Sequence, residues 1–148
     1  MEREKYMALA LELAEEAAAQ GEVPVGCIIC DSGGKVIGRG RNRREELSDS
    51  TAHAEIEAIR EACAALGGWR LSGCTMYVTL EPCPMCCGAI IMSRISCLVF
   101  GARDAATGSC GSVIDLFSEN YGHSPAVFPG VLKDECAAVL KDFFKSRR

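Results

Sequence analysis

Apolar positions in the first twenty residues recur at helical spacing. Residues 4–20 set an alanine- and leucine-rich face against a polar one, and Gly21 follows the run, which predicts a helix with a glycine C-cap. The pattern then shortens. "VGCIIC" (25–30) is an apolar run of strand length, "DSGG" is a turn and "KVIGRGR" (35–41) a second strand, so the pair predicts a hairpin. Residues 52–66 carry Ala52, Ile56, Ile59, Cys63 and Leu66 at helical spacing. "TMYVTL" (75–80) reads as a strand, 84–94 as a helix and "SCLVFGA" (96–102) as another strand. A loop-rich stretch with short elements runs from Arg103 to about Gly130, and 132–146 form a last amphipathic helix. A hairpin followed by alternating helices and strands predicts an α/β domain with helices on both faces of one sheet. No repeat, low-complexity segment or Pro/Ser-rich linker divides the chain, so residues 1–148 are expected to form a single domain.

Composition changes this picture in two places. No apolar run is long enough to cross a bilayer, and the acidic N-terminus lacks the marks of a secretory signal or a transit peptide, so a cytoplasmic protein is expected. Ten cysteines in that compartment are expected to stay reduced. Cys27, Cys30, Cys63, Cys97 and Cys136 lie in apolar patterns and are expected in the core. The net charge of −4 argues against a nucleic-acid partner until its distribution is read. Residues 1–22 hold six Glu against Arg3 and Lys5, which leaves fourteen acids and fourteen bases beyond them. The bases cluster in "GRGRNRRE" (Arg39, Arg41, Arg43, Arg44) and in "KDFFKSRR" (Lys141, Lys145, Arg147, Arg148). Two readings stand: a local phosphate-binding surface on an acidic protein, or ordinary solvated faces.

The chemistry is carried by "STAHAEIEAI" and "LEPCPMCCGA". Cys83 and Cys86 lie at i, i+3 and share one face at the start of a helix, where Pro82 and Pro84 cost no hydrogen bond. The positive end of the helix favours thiolate, the form that binds metal. Two ligands are too few for zinc. His53 also opens a helix, with Ser50 or Thr51 as a plausible cap, and supplies a third. Structural zinc sites close with four protein ligands, whereas catalytic sites leave a position for water. Glu55 gives an open position a use as proton shuttle. Residues i and i+2 do not share a helix flank, so Glu55 and His53 converge only if the helix end points into the cleft. Cys27-x-x-Cys30 has the same spacing as Cys83-x-x-Cys86 but lies in a strand, where the two side chains face opposite ways into the core. Cys87, at i+4 from Cys83, offers a fourth ligand that would close the site; it is expected to turn into the core instead. Glu81 stands at a strand end, either bonding helix-start N–H groups or lying near the cleft.

His-Ala-Glu on one helix start and Pro-Cys-x-x-Cys on another match the known arrangement of the zinc nucleobase deaminases. Over nearly its whole length the chain resembles, more narrowly, the bacterial tRNA-specific adenosine deaminases. The segments that carry the resemblance are "GEVPVGCII", "GRGRNRRE", "TAHAEIEAIR", "YVTLEPCPMCCGAI", "SRI", "VFGARDAATGSCGS" and "LKDECAAVLKDFFKSRR". It implies a three-layer α/β/α cytidine-deaminase-like fold with one mixed sheet of about five strands, and a homodimer. It implies hydrolytic deamination of adenosine to inosine at the wobble position of a tRNA anticodon stem-loop. Position by position, His53, Cys83 and Cys86 would hold one Zn2+ per chain and Glu55 would shuttle protons. Asn42 would hydrogen-bond the flipped adenine, and Asp104 would lie near the ribose of the preceding nucleotide. Arg44, Lys141, Arg147 and Arg148 would meet anticodon-arm phosphates. The chain departs from the family at Cys87, where a small residue is usual, and at Gly122-His123, where relatives carry Asn-His. Two other functions compete: a small-molecule deaminase of guanine, cytidine or a deoxynucleotide, and a zinc domain without catalysis. The basic stretches and "RDAATG" disfavour the first, and Glu55 would be idle in the second.

Overall fold

In a computed structural model of the chain, which describes residues 2–147, the N-terminal pattern closes as α1, Glu2–Ala19, with Met7, Ala10, Ala14 and Ala17 buried on one face. Gly21, at φ 80°, ends it: its N–H bonds the Ala18 carbonyl and the Glu22 N–H the Ala17 carbonyl, the paired bonds of a Schellman motif. The small residues of α1 let the sheet approach closely. A Cβ at Gly26, the first residue of β1 (Gly26–Cys30), would lie 1.9 Å from the Ala10 carbonyl oxygen.

β1 forms the expected hairpin with β2, Val36–Arg41. The Asp31 side chain closes the turn by accepting from the Gly33 and Lys35 N–H groups. β3 (Thr75–Leu80), β4 (Cys97–Ala102) and β5 (Ala126–Phe128) complete a mixed five-stranded sheet in the order β2-β1-β3-β4-β5. β1 is antiparallel to both its neighbours, whereas β3, β4 and β5 run parallel. The parallel pair β3–β4 is joined by α4, Pro84–Ser93, as parallel strands require.

Both faces of the sheet are covered, which is why its strands read as continuous apolar runs rather than alternating ones. On one face Cys27, Ile29, Met76, Val78, Leu98 and Phe100 pack with Ala54, Ala58 and Ala62 of α3 (Ala54–Leu66) and Ile90 of α4. On the other, Ile28, Cys30, Tyr77 and Val99 meet Met7 and Ala10 of α1 and Cys136 of α5, Lys133–Lys145. Cys27 and Cys30 therefore do point to opposite faces of β1, both buried. Cys63 and Cys97 are only part-buried.

Two short elements carry no period in the sequence: β5, a three-residue edge strand between Pro125 and Pro129, and α2, Arg44–Leu47. Two glycines of β2 seat the start and middle of α3. A Cβ at Gly40 would lie 2.1 Å from the Ala54 carbonyl oxygen, and one at Gly38 2.3 Å from that of Ala58. This close seating aims the first residues of α3 at the C-terminal end of β3.

Candidate active site

The N-cap of α3 is His53, not Ser50 or Thr51, and the N-cap of α4 is Cys83 with Pro84 following. Both have extended backbones, and neither side chain caps its own helix. An N-cap side chain ordinarily accepts a bond from its helix's first turn; here the imidazole and the thiol reach across to each other instead. His53 Nδ1 lies 3.7 Å from Cys83 Sγ and 3.6 Å from Cys86 Sγ. Ligand atoms of all three lie within 4.8 Å of one another, the one such cluster among the described residues. A tetrahedral ion with Zn–S of about 2.3 Å and Zn–N of about 2.0 Å sets an N···S edge of about 3.5 Å, so both observed separations lie within about 0.2 Å of what zinc requires. Two sulfurs and one imidazole nitrogen are also a donor set that zinc accepts.

The three groups are electrostatically tied. The Cys83 thiol is pushed down to about 4, chiefly by the hydrogen bond from Cys86 and further by His53, against the opposing effect of burial. That bond and burial push Cys86 up, and the bond to Cys83 raises His53. One thiolate thus already shares protons with its two neighbours, and a cation of the right size displaces those protons on binding.

Glu55, the second residue of α3, is 4% exposed. It lines a cavity of about 150 Å³ together with His53, Cys83, Asn42, Arg44, Leu80, Glu81, Asp104 and Thr107. The helix end does point into the cleft, so His53 and Glu55, two residues apart, line the same cavity. Burial raises the Glu55 carboxyl to about 7, while its own N–H and His53 act the other way. A larger cleft of about 660 Å³ lies against Arg39, Arg43, Glu57 and Arg60. Its charges are largely paired, as in Arg43 with Glu46 and Glu57, and it holds none of the metal-ligating residues.

The other anticipated residues separate. Asn42 is buried at the cavity wall with its amide in use: Nδ2 donates to the Val23 carbonyl at 3.1 Å, and Oδ1 accepts from the Ala54 N–H at 3.2 Å. One N–H and one lone pair remain for a ligand. Asp104 also lines the cavity, and its carboxylate accepts from Ala106 N–H, Thr107 N–H and Thr107 Oγ1. Arg44 and Arg147 share an adjoining cavity of about 490 Å³ with Asn42 and Phe143, and the Arg147 guanidinium lies 4.4 Å from the Phe143 ring centre. Lys141 is exposed on α5, and Arg148 lies outside the described residues. Cys87 stays out of the metal cluster: its Sγ is 3.5 Å from Cys110 Sγ and 3.7 Å from the Pro82 carbonyl. His123 Nε2 lies 2.8 Å from the Ile95 carbonyl, away from the cavity.

Glu22 went unread in the sequence. It is buried, and its two oxygens accept from the Glu45 and Glu46 N–H groups, which holds α2, and with it Arg44, beside Asn42. Its only signal is a carboxylate just after the Gly21 cap.

The fold and the His/Cys/Cys centre with its buried glutamate define a zinc-dependent deaminase. The profile of the family described as cytidine and deoxycytidylate deaminase zinc-binding region matches residues 1–102. The chain is 47% identical over 146 residues to a tRNA-specific adenosine deaminase of Bacillus subtilis, covering 98% of this chain and 90% of that one. It is 49% identical over 142 residues to a tRNA(Ile)-lysidine synthase of Deinococcus deserti, where the match takes in 96% of this chain but only 27% of the relative. A solved structure from a study of A-to-I editing by tRNA:A34 deaminases at the wobble position of transfer RNA superposes with a TM-score of 0.88. That pair is 46% identical, with 92% of this chain and 99% of that one covered. The chain belongs to the tRNA-specific adenosine deaminases of the cytidine and deoxycytidylate deaminase family.

Proposed function

We propose that the chain, acting as one domain, hydrolyses the 6-amino group of an adenosine at the wobble position of a tRNA anticodon loop, leaving inosine and ammonia. The observation that carries the reading is the buried Glu55 facing the same small cavity as His53 and Cys83. Zinc held by His53, Cys83 and Cys86 supplies the Lewis acidity that makes water a nucleophile near neutral pH. Glu55 moves one proton of the attacking water to N1 of the base, then takes the proton of the new C6 hydroxyl and gives it to the departing amine as the C6–N bond breaks, leaving inosine and ammonia. Burial pushes the Glu55 carboxyl up while zinc in the same cavity would pull it down, and that balance suits a group that both takes and gives a proton.

The remaining side chains read the substrate. Asn42 offers its second N–H and second lone pair to the purine edge. Asp104, with three of its roughly four acceptor sites used within its own turn, keeps one for a ribose hydroxyl. Arg44 and Arg147, beside Phe143, offer two cations and a ring to the flanking nucleotides; Arg148 continues that basic end in sequence. An unpaired loop presents its base at small unstacking cost.

The test compares an anticodon stem-loop carrying wobble adenosine with free adenosine and guanine. Inosine is expected in the stem-loop. Free adenosine is expected to react orders of magnitude more slowly, because it lacks the flanking contacts that hold the base in place. Stem-loop affinity is expected to fall linearly with salt on a log–log plot, with a shallower slope in Arg147→Ala. Efficient guanine deamination without inosine in the stem-loop overturns the proposal.

The reading extends to a homodimer. Ile59, Cys63, Trp69, Ala89 and Met92 line a shallow apolar depression formed by α3, the turn that follows it and α4, with Trp69 56% and Met92 68% exposed. A second copy is its proposed occupant, since large exposed apolar side chains grouped together mark association surfaces. Sedimentation at micromolar concentration is expected to give twice the 15.8 kDa chain mass; a monomer counts against it. A cytoplasmic setting goes with a tRNA substrate and with ten free cysteines. No helix among the described residues is long and apolar enough to cross a membrane.

A further inference from the structure

Glu81 follows the last residue of β3 and stands two residues before Cys83. It is 2% exposed, and among the described residues no basic side chain pairs with it. A buried carboxylate needs its charge answered, and here one loop answers it. Oε1 accepts from the Asp104 N–H at 3.0 Å and from the Ser112 hydroxyl. Oε2 accepts from the Cys110 N–H at 2.9 Å and the Ser112 N–H at 3.1 Å. The loop wraps so closely that a Cβ at Gly108 would lie 2.4 Å from Glu81 Cδ.

Residues 104–112 therefore fold around a carboxylate much as a loop folds around a bound anion. The carboxylate is itself anchored: the Glu81 N–H donates to the Ala102 carbonyl at 2.8 Å, and the Ser109 N–H donates to the Pro82 carbonyl at 2.9 Å. Asp104 is the hub of the turn. Its N–H is held by Glu81, its carbonyl accepts from Gly108 and its carboxylate holds Ala106 and Thr107. Asp104 and Thr107 are the loop residues that form the cavity wall.

We propose that Glu81 is a positioning residue that fixes the Asp104–Thr107 wall and, through it, the discrimination between ribose and deoxyribose beside the reacting base. The second half of this inference rests on the substrate reading above; the first half does not. Glutamine in place of Glu81 keeps the shape but turns one acceptor into a donor, which sets an NH2 group against backbone N–H groups that have no other partner.

The experiment uses the zinc-loaded protein and the variants Glu81→Gln, Asp104→Asn and the pair together. Zinc is expected to stay at one per chain in all of them. Amide exchange in residues 104–112 of Glu81→Gln is expected to rise about tenfold or more, with α3 and β3 unchanged, from the loss of charge-assisted hydrogen bonds. With stem-loops bearing ribose or 2′-deoxyribose at the nucleotide preceding the reacting adenosine, KM is expected to rise more than kcat falls. The ribose preference is expected to drop to that of Asp104→Asn, with no further drop in the double variant. Unchanged exchange in 104–112 overturns the positioning role. Raised exchange with a wild-type ribose preference overturns the link to discrimination. If Glu81→Gln does not fold, Ser112→Ala, which deletes one hydroxyl donor and no backbone bond, carries the same readouts with smaller shifts. A wild-type protein that forms no inosine fails the substrate reading alone, and the exchange result still decides the positioning role.

Discussion

Glu55→Gln is expected to keep the fold and one zinc per chain while turnover of the stem-loop falls by about 10²–10⁴-fold, the usual worth of a positioned proton-transfer group. The amide fits the volume of the carboxyl it replaces, and Glu55 is not one of the three clustered ligands, so neither packing nor metal binding gives a reason for loss. Glutamine cannot accept a proton from water or return one to N1. A carboxylate only 4% exposed in a cavity wall costs free energy, since burial penalises the charged form; a structural residue at that position needs no ionisable group. The measurement is single-turnover inosine formation alongside metal analysis and a thermal melt. Near-wild-type turnover in a zinc-loaded, folded variant rules out the shuttle role.

How much of this was legible beforehand depends on how local the determinant is. The hairpin, α3, α4 and α5 rest on patterns within a few residues, and they lie where those patterns predict, within a residue or two at the ends. The metal cluster was legible for a related reason. Each half is a short motif at a helix start, and the only long-range fact needed was that His53 and Cys83 meet. What was hidden depends on partners far along the chain. Glu81 is a strand-end glutamate until the 104–112 loop closes on it, 23 to 31 residues away. Glu22 and Asn42 behave in the same way. Each spends its polar atoms on backbone groups that the sequence does not pair with it. The N-cap of α3 misled for a physical reason: Ser50 and Thr51 have good capping side chains, but Gly40 and the sheet fix where the helix starts, and the cap position goes to the imidazole. β5 has three residues, too few to show a period of two.

Removing zinc, or a ligand that holds it, is expected to have the largest effect of all. Cys83→Ala leaves one nitrogen and one sulfur donor, too few to hold zinc against dilution or chelation. Its expected zinc content is near zero and its inosine formation is at background. Cys86→Ala and His53→Ala are expected to do the same. Cys87→Ala is the control that separates position from residue type, because its sulfur faces Cys110 and the Pro82 carbonyl rather than the His53 ring. It is expected to keep one zinc per chain. The same set is expected to separate by stability. Zinc binds only the folded arrangement of the three ligands to any useful degree, so it stabilises the wild type by about 4 kcal/mol when present at roughly a thousand times its dissociation constant. Adding zinc to the stripped protein is expected to raise Tm in the wild type and in Cys87→Ala, and to leave it unmoved in Cys83→Ala. Metal analysis, melting and turnover then give three readings of one assignment. Zinc lost from Cys87→Ala and retained by Cys83→Ala contradicts it.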